Sequence, residues 1–381
     1  MILSCGRNDE VVQLGMTEGS MCVRRKEGSL IATMETLHMK KPISPKPLRL
    51  LSLTLALILS GSLLAACGND ENAADEGPTQ VTIALDWYPN SNHAGLYLAQ
   101  ERGYFEEEGL EVELYVPGDP ADGLRLVGSG QDDFAISYQT DVLLARGEDI
   151  PVKSIAALVQ HPLNSIMALA SSGIERPADL EGKTIGITGG LSDEALLASM
   201  LASDGLTLED VETVTLGFTL VPPLLAGQVD AIIGAYWTHE SFLVEREGEG
   251  VSVLRIEEWG VPDHYELVLA ASDDTVEKRG DVIEAMLRAI NRGYAGAESD
   301  NAAALDALLA AAPDTDRELE ERGIVLLEPY WTDDGAVPFG QQTAERWESY
   351  ATWLKDNDML ADDVDPAEAF TNEFVERVNE E

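Results

Sequence analysis

Two groups of side chains in this 381-residue sequence sit where a small molecule could meet them. The first is aromatic. Trp87 follows the apolar run VTIAL (81–85), Tyr138 ends DFAISY (133–138), and Tyr236 and Trp237 end VDAIIGAYW (229–237). A flat indole or phenol ring at such a point can stack on a planar heterocycle, worth about 0.5–1.5 kcal/mol per pair beyond burial. The second group is polar. Asn92 and His93 precede an apolar helical pattern, Asn164 follows Pro162, and Ser192 and Glu194 flank Asp193 at the start of another helix. Glu240, Tyr265 and Glu266 lie near the ends of later elements, with Asp86 beside Trp87. Asn offers a donor and an acceptor to ring nitrogens, His a ring nitrogen, and a carboxylate accepts N–H from an exocyclic amine. Glu194 is the carboxylate expected to read that amine. Each residue also has a structural reading. Trp87 can pack under its loop, one of Tyr236 and Trp237 can belong to the core, and Asn92 can cap a helix. His93 can be satisfied by backbone, Asn164 can be a turn residue, and Tyr265 can be hinge packing. Acids at 193–194 stabilise a helix start in any case.

These side chains need elements that converge on one place. From residue 81 onward, short apolar runs alternate with helical patterns: strand 81–85, helix 94–102, strand 110–116, helix 121–130, strand 133–138, then a helix with Thr140 as its expected N-cap, and strand 152–159. The rhythm restarts with TIGIT (184–188), a helix over 193–203 and further strands near 211–217, 229–237, 251–256 and 266–272; the remainder reads as helices. Alternation of this kind predicts α/β architecture with mainly parallel, doubly wound sheets. Two such lobes would set the C-terminal ends of two strand sets across a cleft, where open α/β sheets bind ligands. Trp331, Trp347 and Trp353 in the helical tail are expected to pack on the first lobe.

Composition narrows the function. A formal charge of −44 repels phosphates, so nucleic-acid binding is excluded. The acidic residues are spread over presumptive helix faces; they read as a solvated surface, with attraction of a cationic ligand as the alternative. No HExxH, GxSxG, Walker or paired CxxC pattern occurs, so no metal and no cofactor is expected. The three cysteines are Cys5, Cys22 and Cys67. Residues 1–38 lack periodicity and precede an internal Met39, which suggests an over-extended start. From Met39 a basic start (Lys40, Lys41, Lys46, Arg49) leads into an apolar stretch over 50–66, the pattern of a secretory signal. The stretch is shorter than the roughly 20 residues a spanning helix needs. It ends in Leu64-Ala65-Ala66-Cys67, which resembles a bacterial lipobox. That resemblance implies acylation of Cys67 and a lipid-anchored, extracytoplasmic protein. The polar, acidic residues 67–80 read as a tether.

Several blocks resemble the substrate-binding proteins of nitrate, sulfonate and thiamine-precursor importers: LDWYPNSNHAGLY (85–97), GLYLAQERGYFEEEGLEVEL (95–114), QHPLNSIMAL (160–169), GGLSDEA (189–195), GAYWTHE (234–240) and WGVPDHYELVL (259–269). Their order and spacing resemble the group that binds thiamine pyrimidine precursors such as an N-formylated aminomethylpyrimidine. The resemblance implies a type II periplasmic-binding-protein fold, with a first lobe over 81–175 and 264–381, a second over 176–263, and crossings near Ser171–Pro177 and Pro262–Glu266. It implies a monomer that serves an ABC permease and ATPase, and a ligand role for His93. Other cargoes, riboflavin, sulfonate, nitrate or an aromatic acid, stay open. The enzymatic rival with this resemblance is the eukaryotic pyrimidine synthase, which uses a histidine of its own, pyridoxal phosphate and iron. Its Cys-rich motif is missing here, and Lys153 and Lys183 begin strands away from the expected cleft.

Overall fold

In the computed structural model the described residues are 77–380, plus the backbone of three short strands nearer the start. Those strands, Glu10–Val11 (β1), Cys22–Lys26 (β2) and Ser29–Ile31 (β3), pair antiparallel in that order within a separate unit, Met1–Glu71. The apolar stretch 50–66, Cys67 and most of the acidic tether lie outside the described residues.

The main unit holds two five-stranded sheets. The first uses Thr79–Ala84 (β4), Leu110–Tyr115 (β5), Phe134–Ser137 (β6) and Val152–Val159 (β7). The chain then runs through Asn164–Leu169 (β8), Thr184–Ile187 (β9), Glu212–Thr215 (β10), Ala231–Tyr236 (β11) and Val251–Arg255 (β12) in the second sheet. Leu267–Ser272 (β13) returns to the first. The orders are β5-β4-β6-β13-β7 and β10-β9-β11-β8-β12. The two have the same pattern. Each sheet has parallel pairs on one side (β4 with β5 and β6; β9 with β10 and β11) and one antiparallel strand set between two others, β13 or β8. That antiparallel strand is in both cases the first one laid down after the chain changes lobes. The two-lobed, mainly parallel α/β arrangement agrees with the expected fold class.

One boundary differs from the sequence reading. The first crossing is not at Ser171–Pro177 but at residues 160–163, because β8 pairs with β11 and β12 in the second sheet. Pro162, with no N–H to give a ladder, separates β7 from β8. The second crossing spans 256–266 and contains the expected one. Thr140 also differs: the helix Gln139–Gly147 has Tyr138 as its N-cap and begins two residues earlier, and the Thr140 hydroxyl pairs with Tyr350 Oη at 2.7 Å instead of capping. β4 begins at Thr79, inside the expected tether.

The C-terminal helices close the first lobe. Gly280–Ser299 lies against Ala94–Glu101, and the contact depends on glycine. A Cβ on Gly293 would sit 2.2 Å from the Gly95 carbonyl oxygen, and one on Gly95 would sit 2.5 Å from the Tyr294 ring. The Tyr294 hydroxyl in turn donates to the Asn92 carbonyl at 2.7 Å, which fixes the loop that enters the cleft. Trp331 and Trp347 are fully buried, Trp331 edge-on to Tyr294 and Trp347 stacked on Phe370 at 5.4 Å; Trp353 is half-buried against Tyr350. Overpacking a tight site costs about 1–3 kcal/mol. Gly293→Ala is therefore expected to lower the unfolding free energy by that amount or more, read as a lower urea midpoint at unchanged m-value. An unshifted midpoint would show that the helix pair can part freely.

Candidate functional site

Strand ends of both lobes face one another across a narrow cleft. β4 delivers Asp86 and Trp87, β6 delivers Tyr138, β11 delivers Gly234 and Tyr236, β8 begins with Asn164, and the second crossing adds His264 and Glu266. Trp87 reaches across to the second lobe, where its ring meets Phe218 edge-on at 5.1 Å. The space a water can move through between the walls is small, about 30 Å³.

Gly234 permits this approach. Its φ of +88° interrupts the β11 register, and a Cβ there would lie 2.7 Å from Thr188. The Asn164 side-chain oxygen accepts the Gly234 N–H at 3.1 Å, which leaves its amide N–H₂ as the group it can offer a ligand. Tyr138 is held by Asp86: its hydroxyl donates to Oδ2 at 3.1 Å. Burial and then the Asp86 charge push its pKa well up, so it stays a phenol. His93 stands behind this pair. Asn90 N–H donates to His93 Nδ1 at 3.3 Å, so the ring proton is on Nε2, 2.9 Å from Asp86 Oδ1. His93 is buried and orients Asp86; it does not line the cleft. Asn92 is also absent from the lining: its amide donates to Asn90 Oδ1 at 2.9 Å, and Asn90 is the residue that caps the turn Ser91–His93.

The polar lining is acidic. Glu266, buried at the cleft floor, accepts the N–H groups of Leu163 at 2.6 Å and Asn164 at 3.2 Å. Burial raises its pKa to about 7, more than those N–H groups offset. The Tyr236 hydroxyl faces Glu266 without reaching hydrogen-bond geometry. Glu240 lines the other end of the cleft and accepts the Tyr236 N–H at 2.8 Å. Ser192 and Asp193 line the second-lobe wall; Asp193 accepts from the Thr188 hydroxyl and Gly189 N–H at 2.8 and 2.7 Å, and burial raises its pKa. Asp141, from the first lobe, is buried against the same turn; burial raises it to about 7 while the Ser192 hydroxyl and nearby N–H groups pull the other way. His264 is neutral. Burial takes its pKa down to about 4, its Nδ1–H donates to the Pro262 carbonyl at 2.9 Å, and its ring stacks on Tyr350. Among the described residues no lysine or arginine lines either part of the cleft.

Besides Asn92 and His93, three further expected contacts do not line the cleft. Glu194 is exposed on its helix and does not line the cleft; Asp193, one helical step earlier, does. Trp237 turns away from the cleft, half-buried under the Arg255 guanidinium at 3.9 Å and against Tyr330. Tyr265 is buried, with its hydroxyl accepting the Thr343 N–H at 2.8 Å. The structure does place Trp87, Tyr138, Asn164, Ser192, Tyr236 and Glu240 together. It adds His264, Thr188 and Gly234, which the sequence reading did not propose, and takes Asp193 rather than Glu194 from the two acids at that turn.

A family model described as NMT1/THI5-like matches residues 90–304. The chain belongs to the NMT1/THI5-like family. Among similar proteins, a formylaminopyrimidine-binding protein of Halalkalibacterium halodurans is 38% identical over 332 residues, 86% of this chain and 99% of that one. A 4-amino-5-hydroxymethyl-2-methylpyrimidine phosphate synthase of Aspergillus parasiticus is 30% identical over 244 residues, 61% of this chain and 71% of that one. The alkanesulfonate-binding protein SsuA of Xanthomonas axonopodis pv. citri, solved with MOPS, superposes with a TM-score of 0.61 at 18% identity, covering 77% of this chain and 99% of that one. The fold of this NMT1/THI5-like chain is accordingly that of the periplasmic binding proteins.

Titration should reveal the buried acids. Asp141 and Glu266 have folded pKa values near 7, above the unfolded values of about 4. Between those limits the native state holds more protons than the unfolded one, so each group's contribution falls as pH rises through the window. Asp141→Asn removes one such group. Its unfolding free energy relative to wild type is expected to rise between about pH 4.5 and about pH 8. A difference that stays flat over this range would show that Asp141 titrates like an exposed acid.

Proposed function

We propose that this protein is an extracytoplasmic solute-binding protein that captures an amine-bearing pyrimidine, a thiamine precursor of the formylaminopyrimidine type, for an ABC importer. The observation that carries the reading is the cleft's chemistry: aromatic walls and four carboxylates (Asp86, Asp193, Glu240, Glu266) with no lysine or arginine in the lining. Such a cleft repels a sulfonate, nitrate or phosphate. It favours a flat ring with N–H donors. The ring lies between Trp87 and Tyr138 of the first lobe and Tyr236 of the second. Glu266, with a pKa near 7, can in its acid form accept from the exocyclic amine while donating to the adjacent ring nitrogen. Asn164 adds an N–H₂ group. The relative from Halalkalibacterium halodurans, whose name states this kind of ligand and whose full length is matched, supports the assignment.

The same features favour carrying over catalysis. The four lysines among the described residues, Lys153, Lys183, Lys278 and Lys355, all lie outside the lining. Lys153 pairs with Asp273 at 3.3 Å. No lysine is thus placed to form a Schiff base in the cleft, and residues 77–380 contain no cysteine. No described helix is long and apolar enough to cross a membrane. The basic and apolar residues before Cys67 support export and lipid anchoring, with monomeric delivery to a permease and its ATPase as the remaining part of the reading.

Calorimetry decides the cargo. An N-formylated 4-amino-5-aminomethyl-2-methylpyrimidine should bind the full chain more tightly than methanesulfonate. Glu266→Leu, which can neither accept from the amine nor donate to the ring nitrogen, should weaken the pyrimidine by about 10- to 100-fold, the value of two lost hydrogen bonds, and exposed Glu194→Gln should leave affinity unchanged. Tighter binding of methanesulfonate would overturn the assignment.

A further inference from the structure

One buried cluster outside the ring-contacting walls joins the two lobes. His239, in the turn after β11, places Nδ1 2.9 Å from Glu240 Oε1 of its own lobe and Nε2 3.1 Å from Glu320 Oε1. Glu320 belongs to the helix Arg317–Thr332, which is fixed to the first lobe: the Tyr330 carbonyl accepts the Gln160 N–H at 2.7 Å, and Glu320 Oε2 accepts the Ser91 N–H at 2.6 Å. The three side chains are only 12%, 6% and 2% exposed. Gly323 lets this helix come in: a Cβ there would lie 2.3 Å from Ser91 Oγ in the first lobe and 3.4 Å from the Thr238 carbonyl in the second.

The wiring reaches the cleft in one step. Glu240 uses one oxygen for His239 and the other for the Tyr236 N–H, and both Glu240 and Tyr236 line the cleft. If the lobes part, His239 keeps Glu240 and Glu320 keeps Ser91, and only the His239–Glu320 half of the bridge breaks. Burial alone would neutralise His239; the Glu240 and Glu320 carboxylates outweigh it and raise its pKa to about 10. The ring is thus an imidazolium between two carboxylates, and the remaining oxygens are satisfied by backbone N–H groups.

We propose that His239 is a positioning residue whose bridge between Glu240 and Glu320 latches the closed lobes and so sets how long a captured ligand stays. It touches no ligand itself. The inference rests on the solute-binding reading for its cargo, while the latch can be read without one. In the open state each residue of the bridge retains one partner, so the bond gained on closure is the one that spans the lobes. Removing His239 leaves Glu320 buried on closure without its counter-charge, holding only the Ser91 N–H, a penalty that appears chiefly in the dissociation rate. Neutralising Glu320 as well lifts that penalty but leaves the bond between the lobes absent.

The test uses the full chain as wild type, His239→Gln, Glu320→Gln and the double variant, with the N-formylated aminomethylpyrimidine as probe. His239→Gln is expected to speed dissociation on the order of tenfold or more with little change in association rate. The double variant should dissociate no faster than His239→Gln, because both have lost the same bond. A purely structural role would give additive losses and a matching fall in the urea midpoint without ligand. Wild-type dissociation in His239→Gln, or a double variant as impaired as the product of the singles, overturns the latch. If no variant and not even wild type binds the pyrimidine, the cargo assignment fails. The latch is then decided by small-angle scattering of the ligand-free chains: a larger radius of gyration than wild type for His239→Gln and for the double variant sustains it, and identical radii end it.

Discussion

The arrangement turns on one carboxylate. Glu266 leaves the second crossing and accepts two N–H groups from the first, at Leu163 and Asn164. The two passages between lobes are therefore tied at the floor of the cleft. A buried carboxylate held only by N–H groups, with no cation beside it, ionises reluctantly, and Glu266 sits near neutrality for that reason. Its position makes it part of the second crossing and part of the cleft lining at once. On the proposed function, a ligand that satisfies Glu266 also acts on that crossing.

Around this point the lobes repeat one plan. Each sheet receives its antiparallel strand just after a crossing, so β8 and β13 emerge beside the cleft with Asn164 and Glu266 at their starts. Two strand sets then present aromatic rings from opposite sides, Trp87 and Tyr138 from one and Tyr236 from the other. The His239 bridge and the Trp87–Phe218 contact are both made between lobes. Recognition and closure thus share residues.

Much of this was readable in the sequence, and the misses have physical causes. Periodicity located all five strands of the first sheet and four of the five in the second, but not the short helices Tyr104–Glu107 and Asp273–Lys278 or the separate helices of the tail. β8 escaped because Asn164–Leu169 follows β7 by four residues, while its partners in β11 lie about seventy positions away; pairing at that distance leaves no local signature. Tyr236 and Trp237 are neighbours in an extended segment and must face opposite ways, so sequence could say that one belonged to the core but not which. The same alternation explains the second crossing: His264 and Glu266 line the cleft and Tyr265 points to the interior. At 193–194 the choice was one of helical phase, about 100° per residue, set by how the helix Asp193–Ser203 lies on its sheet. His93 was legible as unusual; that it supports Asp86 one layer behind the cleft depended on Asn90 and the loop fixed by Tyr294.

The central claim is that this acid-lined, aromatic cleft selects its cargo through N–H groups on a flat ring. Calorimetric titration of the full chain with 4-amino-2-methylpyrimidine and with 2,4-dimethylpyrimidine isolates that interaction, since the two rings differ only in the amine that would meet a carboxylate. The account predicts a preference for the amine on the order of 100-fold or more. Equal affinities, or a preference for the methyl ring, would contradict it.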